Sequence, residues 1–390
     1  MNEGLQPLLL ETIFWILVAF VLYTYFGYPL LVFSLSRFRR SKDRGGEGYV
    51  TGVTILVPAF NEESVIERKI QSCLDLDYPE ALLRVLVVSD GSTDRTVEIA
   101  RKYEGERVKV IDYPENRGKN EALNSAMKQV KSEISVISDA SVLLERDSLK
   151  ILIRNFADGG IGGVWGKKIY RNVSQTAGGE GEAAYLSYGN FVKRCESRLG
   201  SIVSAEGSLF AYRTELYEEL PSGVADDFLL STVIVRKGFR IEYEDKARSY
   251  EETTPTNKGE FRRKSRIIQQ AVKGIYLSRD LLNPIRAGFY SIQLLTVKVF
   301  RRLVSVALPP IIVLIIALSG TSPFYAILFY AVLLFLLLAF AGSILPPRKS
   351  SSRLFSIPFY ICLVNLAAIH GFIGFLRGRD VARWKPTERM

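Results

Sequence analysis

The residues able to do chemistry sit in short polar stretches beside apolar runs. Ser89-Asp90-Gly91-Ser92-Thr93-Asp94 follows the aliphatic run Val85–Val88, and Ser138-Asp139-Ala140-Ser141 follows Ile134–Ile137. Ala225-Asp226-Asp227-Phe228 opens a helical stretch, Leu229–Lys237. Arg263 and Arg266 lie in Arg262-Arg263-Lys264-Ser265-Arg266 at spacing i, i+3 and share a helix face. A carboxylate at a helix start serves either as a general base or as a partner of the helix dipole. Paired guanidiniums serve either an anionic substrate or a solvated surface. The single histidine, His370, lies in an apolar segment, so chemistry in the polar part runs without histidine. That excludes Ser-His and Cys-His catalysis and histidine-based zinc sites.

These groups need a scaffold, and the pattern supplies one. Val53–Val57, Val85–Val88, Val108–Ile111 and Ile134–Ile137 read as strands; Glu63–Asp75, Thr96–Tyr103 and Lys119–Val130 read as the helices between them. This alternation predicts an α/β fold with a mostly parallel sheet and right-handed crossovers. Ligands of such sheets bind at the carboxyl ends of the strands, where helix starts offer N–H groups. Asp90 is then placed to accept hydrogen bonds from a ligand such as a nucleotide base, or else forms only a turn and cap with Ser92 and Asp94. The first strand ends in Pro58-Ala59-Phe60-Asn61-Glu62, where Asn61 either caps a helix or borders a ligand with Glu62. Glu115-Asn116-Arg117-Gly118-Lys119-Asn120 puts a glycine and two cations at a helix start, suited to phosphate or to solvent. Asp139-Ala140-Ser141 gains weight because it follows the fourth strand of the same sheet. Later, Glu206-Gly207-Ser208 precedes a strand-like Leu209–Tyr212, and Gly179–Arg198 has a helical aspect.

The chain has 390 residues, 48% of them hydrophobic, which places part of it in a bilayer. Ile13–Leu35 is uncharged over 23 residues, enough to span. With no basic stretch before it and no cleavage site after it, it reads as a retained anchor rather than a signal peptide. Leu303–Ser319, broken by Pro309-Pro310, and Phe324–Leu345 read as further spans; Ile357–Leu376 reads as re-entrant or interfacial, since four full spans would leave the basic tail outside. Pro284–Arg302, with Arg286, Lys298, Arg301 and Arg302 among apolar residues, reads as an interfacial amphipathic helix. The expected units are residues 1–36 (anchor), 37–52 (basic linker), 53–283 (cytosolic catalytic domain), 284–302 (interfacial helix), 303–376 (membrane helices) and 377–390 (basic tail). The net charge of +10 is placed beside the apolar runs, so it is explained by positive-inside topology in the plasma membrane and not by nucleic acid. Cys73, Cys195 and Cys362 are widely separated and odd in number, which fits a reduced compartment.

V-P-A-F-N-E, S-D-G-S-T-D, G-K-N-E-A-L-N, S-D-A-S, A-D-D-F-L-L and R-R-K-S-R-I occur here in the order seen in membrane-bound family 2 glycosyltransferases. From about Val53 to Leu282 the chain resembles the inverting proteins of the GT-A fold, a Rossmann-like mostly parallel sheet with flanking helices, here with a helical membrane region. These are grouped with cellulose, chitin and hyaluronan synthases. The resemblance implies transfer of a sugar from a nucleotide-sugar, usually a uridine diphosphate sugar, to a glycan or lipid-linked acceptor in cell-surface or extracellular polysaccharide synthesis. It implies that Pro58, Ala59, Asn61, Glu62, Asp90 and Ser92 border the nucleotide with Lys119 near it, and that Gly207 and Ser208 border the substrate. Asp139 with Ser141 would hold Mg²⁺ or Mn²⁺, Asp227 beside Asp226 would be the base, and Arg263 and Arg266 would meet the leaving diphosphate. Two positions depart from the pattern. The usual Asp-x-Asp is Asp139-Ala140-Ser141, and the Gln-x-x-Arg-Trp of processive synthases is replaced by a run ending in Arg266-Ile267. Processive action would then need an oligomer or a channel partner. Transfer to a polyprenyl phosphate and a non-catalytic nucleotide- or glycan-binding role are the alternatives.

Overall fold

The computed structural model describes residues 5–39, 46–171, 177–252, 257–345 and 352–378. Part of the expected linker and most of the expected tail lie outside the described residues. The chain opens with α1 (Leu5–Leu22), a π-helical stretch at Tyr23–Gly27, and α2 (Tyr28–Arg37). Every residue of β1 (Val53–Ala59) is buried. Val53, Ile55, Val57 and Ala59 join one apolar cluster and Leu56 the other, as a strand covered on both faces requires. After α3 (Ile66–Leu74) come β2 (Leu83–Asp90), α4 (Thr96–Arg101), β3 (Val108–Tyr113), α5 (Lys119–Met127) and β4 (Ile134–Ile137). These four strands pair in parallel in the order β3-β2-β1-β4, as their branched aliphatic runs predict.

The rest of the sheet departs from that pattern. It comprises β5 (Leu143–Leu144), β6 (Ile161–Arg171), β7 (Phe210–Arg213) and β8 (Arg240–Glu252), added as β4-β7-β6-β8-β5. The β4–β7, β7–β6 and β8–β5 pairs are antiparallel and only β6–β8 is parallel, so the eight-stranded sheet is mixed. β6 and β8 escape a reading of hydrophobic runs for physical reasons. β6 carries Gly162, Gly163 and Gly166, where neighbours press so close that a Cβ at Gly162 would lie 2.6 Å from Phe239 and one at Gly166 would lie 2.6 Å from Leu209. β8 is rich in charge and buries Ile241, Tyr243 and Ala247 between charged positions. Between these strands run α6 (Ser148–Ile153), α7 (Ala177–Leu199) and α8 (Asp226–Arg236), and α9 (Asn257–Leu277) follows β8.

After the short α10 (Pro284–Ala287), α11 (Phe289–Leu294) passes through a π-helical stretch, Leu295–Phe300, into α12 (Arg301–Leu318). α13 (Pro323–Ile344) and α14 (Arg353–Leu376) complete the described chain. Among the described residues four helical runs are long and apolar enough to cross a membrane: Pro7–Arg37, Phe289–Leu318, Pro323–Ile344 and Arg353–Leu376. Three expectations are corrected here. The expected interfacial helix does not end at Arg302 but continues into the apolar run. Pro309 and Pro310 sit inside α12 without ending it. Residues 357–376 belong to one uninterrupted helix with no reversal of direction, so they form no re-entrant hairpin.

The apolar helices and the sheet domain are packed together. The Tyr28 hydroxyl donates to the buried Glu196 of α7, and the Tyr188 hydroxyl donates to the Tyr25 carbonyl at 2.9 Å. On the other side α14 meets α9 backbone to backbone: a Cβ at Gly371 would lie 2.6 Å from the Ser265 carbonyl oxygen. Phe261 and His370 meet nearby as a tilted ring pair with centroids 5.6 Å apart, and the only histidine of the chain does not line the cavity described below.

Candidate functional site

The loops at the ends of β1 and β2 bind chiefly each other. Asn61 adopts φ 55°, its Oδ1 accepts from the Thr93 N–H at 2.8 Å, and its own N–H donates to Ser92 Oγ at 3.1 Å. The Glu62 N–H donates to Thr96 Oγ1 at 2.7 Å, and the Glu63 N–H to Asp94 Oδ2 at 3.1 Å. Asn61 therefore joins two loops rather than capping a helix. Asp90 is buried and accepts from the N–H groups of Arg117 and Gly118 at 2.9 and 2.8 Å. Its carboxylate thus fixes the turn that launches α5.

From that turn α5 carries Lys119 inward, between acids contributed by two other elements. Lys119 Nζ stands 2.8 Å from Asp139 Oδ1, after β4, and 3.0 Å from Asp226 Oδ2, at the start of α8. Burial works to lower the Lys119 pKa, but Asp139 and Asp226 outweigh it and hold the ammonium well above the usual lysine range. The peptide of Gly207 links the acids: its carbonyl accepts from the Asp139 N–H at 3.1 Å and its N–H donates to Asp227 Oδ2 at 3.1 Å. Asp227 Oδ1 also accepts from the Phe228 N–H at 2.7 Å. Burial, reinforced by Asp226 and opposed by Lys119, pushes the Asp227 carboxyl up to about 6. A carboxylate with such a pKa is ionised at neutral pH and basic enough to take a proton.

The motif G-K-N-E-A-L-N acquires a structural meaning beyond Lys119. Asn120 Nδ2 donates to the carbonyls of Pro221 and Val224 at 2.8 and 3.0 Å. One turn later Asn124 Nδ2 donates to the Leu220 carbonyl at 2.9 Å, and its Oδ1 accepts from the Leu220 N–H at 2.8 Å. Two asparagines on one face of α5 therefore hold the loop that delivers Asp226 and Asp227. Beneath Asp139, the buried Lys69 donates to Ser138 Oγ at 2.6 Å and to the Val142 carbonyl at 2.7 Å. Burial lowers its pKa, which is the cost of placing an ammonium under the loop.

The facing wall is α9. Arg263 is gripped by the buried Glu260, with Nε and Nη2 donating at 2.9 and 3.1 Å, while Lys264 Nζ lies 3.4 Å from the same carboxylate. Arg266 has no hydrogen bond or ion pair among the described residues, and burial followed by the nearby Arg263 lowers its pKa. A second ionic cluster closes one side. Glu206 lies 2.6 Å from Lys193 Nζ and 3.3 Å from Lys168 Nζ, and Lys168 also lies 3.3 Å from Glu251. Burial would raise the Glu206 pKa, but the two lysines hold it far below the usual range.

One cavity of about 500 Å³ unites most of these groups. Of the residues singled out in the sequence, Glu62, Lys119, Asp139, Ser141, Gly207, Ser208, Asp226, Asp227, Arg263 and Arg266 line it. Pro58, Ala59, Asn61, Asp90 and Ser92 do not; they form the hydrogen-bonded seat beneath its rim. Ser141 Oγ donates to Glu251 Oε1 at 3.5 Å, and Ser208 Oγ is buried without a hydrogen-bond partner among the described residues. The sequence reading missed the asparagines, Lys69, Glu260 and the Lys168–Glu206–Lys193 cluster. Asn120 and Asn124 carried a signal, since i, i+4 amides on a short helix have a common face. Lys69 carried none, because a lysine in an amphipathic helix reads as solvated.

Comparison with known proteins agrees with this layout. The profile of Glycosyl transferase family 2 matches residues 54–221. The poly-β-1,6-N-acetyl-D-glucosamine synthase of Staphylococcus aureus strain COL is 26% identical over 261 residues, covering 65% of this chain and 62% of that protein. The Staphylococcus epidermidis enzyme of the same name is 28% identical over 204 residues, covering 51% of this chain and 49% of that protein. The chain thus spans less than two thirds of the length of these relatives. Among solved structures, the mannosyltransferase PcManGT of Pyrobaculum calidifontis, in complex with GDP-Man and Mn²⁺, superposes with a TM-score of 0.73 at 23% identity, covering 94% of this chain and all of that one. It shows that the fold is GT-A-like. Residues 54–221, which contain Lys119, Asp139 and Gly207, match glycosyl transferase family 2, and the chain is similar to the polysaccharide synthases.

Proposed function

We propose that this protein is an integral-membrane, inverting glycosyltransferase that transfers a sugar from a nucleotide-sugar to a glycan or lipid-linked acceptor in polysaccharide synthesis. The observation that carries the reading is the arrangement of one cavity, in which Asp139, Asp226 and Asp227 surround Lys119 while Arg263 and Arg266 stand across from them. Inversion needs one base on the face of the sugar opposite the leaving group. Asp227 takes that role: the acceptor oxygen bonds to the anomeric carbon, its proton passes to Asp227, and the bond to the donor phosphate breaks with its electron pair leaving on the nucleoside diphosphate. Lys119, Arg263 and Arg266 receive the developing charge. The cytosolic placement of the domain rests on the basic residues flanking the apolar runs.

The residues also fit a divalent cation. Asp139 offers a hard oxygen, and Gly207 leaves room beside it, since a Cβ there would lie 3.2 Å from both Asp139 Oδ2 and Lys119 Nζ. Among the described residues no three His, Cys, Asp or Glu converge on one point, which suits an ion held by one carboxylate, water and substrate phosphates. Asp139, with Ser141 at its edge, would hold Mg²⁺ or Mn²⁺, which when bound neutralises charge on the diphosphate. The Pyrobaculum structure was solved with Mn²⁺, which supports the reading. The donor is a nucleotide-sugar, with UDP-N-acetylglucosamine the first to test because the staphylococcal relatives are named for that polymer, and GDP-mannose the second.

The test is to offer the purified chain a panel of nucleotide-sugars, with and without EDTA, and to follow nucleoside diphosphate release with mass spectrometry of the products. Release that needs Mn²⁺ or Mg²⁺ and gives a β-linked product from an α-linked donor is expected. Absence of donor binding across the panel would overturn the reading, and release that persists in EDTA would overturn the metal.

A further inference from the structure

The same cavity has a basic side that neither the donor chemistry nor the base uses. Lys298, on the π-helical stretch, and Arg301 and Arg302, at the start of α12, line it together with Tyr25 and Asn190. Their polar atoms are incompletely satisfied. Nε and Nη2 of Arg301 and Nε of Arg302 are buried without a hydrogen-bond partner among the described residues. Lys298 Nζ lies over the Phe228 ring at 4.8 Å and the Arg301 guanidinium over the Tyr188 ring at 5.3 Å; Arg302 donates to the Lys298 carbonyl. The acids that face this side already have partners. Glu196 accepts the Tyr28 hydroxyl, Glu206 is held by Lys193 and Lys168, and Asp227 accepts two backbone N–H groups.

Three clustered, half-buried cations, two of them with bare N–H groups, repel one another and lose hydration, which is unfavourable unless an anion joins them. The position narrows what that anion belongs to. Asp227 lines the cavity beside Phe228, over whose ring Lys298 lies, so a group held on this side is next to the base. Beyond the cations the lining passes to Ser305 of α12 and to Val364, Asn365 and Ala368 of α14, two of the helices apolar enough to span. A ligand there has one charged end and lies against apolar helices, which Ser305 Oγ bridges by donating to Asn365 Oδ1 at 2.8 Å. We infer that Lys298, Arg301 and Arg302 form a binding site for the phosphate of a lipid-borne acceptor, whose hydrocarbon part exits between α12 and α14. This rests on the function proposed above and specifies its acceptor.

The test measures binding of farnesyl phosphate to the full chain in detergent micelles, with nucleotide-sugar binding measured on the same samples. The wild type should bind farnesyl phosphate at least about tenfold more tightly than farnesol, the difference that charge-assisted hydrogen bonds to phosphate provide. Arg302→Gln, and separately Lys298→Gln, should weaken farnesyl phosphate by about tenfold while donor affinity changes by less than about twofold, which also shows the variants to be folded. Equal binding of farnesol and farnesyl phosphate overturns the inference, as does inorganic phosphate binding as tightly as farnesyl phosphate, which would make the ligand a free anion. Displacement of farnesyl phosphate by saturating nucleoside diphosphate would assign the cations to the leaving group instead. Tighter binding of trigalacturonate than of farnesyl phosphate would assign them to an acidic glycan. If the donor binds and farnesyl phosphate does not, this inference fails alone; if neither binds, the proposed function fails with it.

Discussion

The two halves of the site are built on opposite terms. On the side of β1, β2 and α5, polar groups are matched within the protein: Asn61 with Thr93 and Ser92, Asp94 with Glu63, Asp90 with the Arg117–Gly118 turn. On the side of α9 and α12, Arg266 has no hydrogen bond or ion pair and Arg301 and Arg302 keep bare N–H groups among the described residues. A matched network is a rigid seat, because each displacement breaks several bonds at once. Unmatched, half-buried cations are stabilised by company, so on the proposed function that half is completed by what it binds. The comparison teaches that preorganisation here is local: it is spread through the loops after β1 and β2 and, on the proposed function, concentrated elsewhere in one carboxylate, Asp227.

Substitution of that carboxylate breaks the contrast most severely. Asp227→Asn is expected to lower turnover by at least ~10²-fold with donor affinity retained, the low end of what a lost base costs. Isothermal titration of the donor beside a turnover assay checks both halves of the statement, and near-normal turnover would reassign the base. The second largest effect is sought at the junction of α9 and α14. Gly371→Leu forces the helices apart where a Cβ already lies 2.6 Å from the Ser265 carbonyl. Displacing Arg266 by about 1 Å should reduce kcat by roughly 10²-fold, as misplaced catalytic groups do. A variant that stays folded and keeps its kcat would show that Arg266 need not be held in place.

Acidification probes the same contrast more gently. Because the Asp227 carboxyl is pushed up to about 6, its basic form is lost as the pH falls through that value. At pH 5 the rate should stand about tenfold below its plateau, and the limb should vanish in Asp227→Asn. A rate independent of pH down to 5 would contradict the assigned role. The smallest effect belongs to the donor seat. Asn61→Ala removes two loop-joining hydrogen bonds made by the side chain and leaves an alanine at φ 55°, at a cost of about 2 kcal/mol. Thermal unfolding should register it while kcat changes by less than about twofold; a large kcat effect would mean that the seat itself moves during the reaction.

The same division explains what could be read from residues alone. β1 to β4 were legible because strands buried on both faces are forced to be branched and aliphatic, and their loops were legible because a ligand site at strand ends calls for short polar side chains. Asp90 was legible as important but ambiguous in role, and its two backbone partners place it in the turn. β6 and β8 were hidden, since the glycines that allow Phe239 and Leu209 to press on β6 look like loop residues, and charged β8 has no apolar run. Glu260 was hidden for another reason: an acid one turn before Arg263 has the spacing of an ordinary exposed helix pair, yet the fold buries it. Lys298, Arg301 and Arg302 were read as interfacial because a basic residue beside an apolar run usually snorkels, whereas here the chain folds them inward.

The π-helical stretch Leu295–Phe300 has a consequence of its own. A π turn takes in one residue more than the α ladder needs, and the helix beyond it is rotated accordingly. Removing a single residue between Leu294 and Arg301 would restore regular winding with the downstream phase kept, whereas regular α winding of the whole stretch would swing everything downstream by roughly 100° about the axis. The two arginines would then face another direction while the apolar run beyond them kept its composition and nearly its length. What aligns α12 with the cavity is therefore how this stretch is wound: the wide π turn, and not the residue count alone, sets the angular phase of α12.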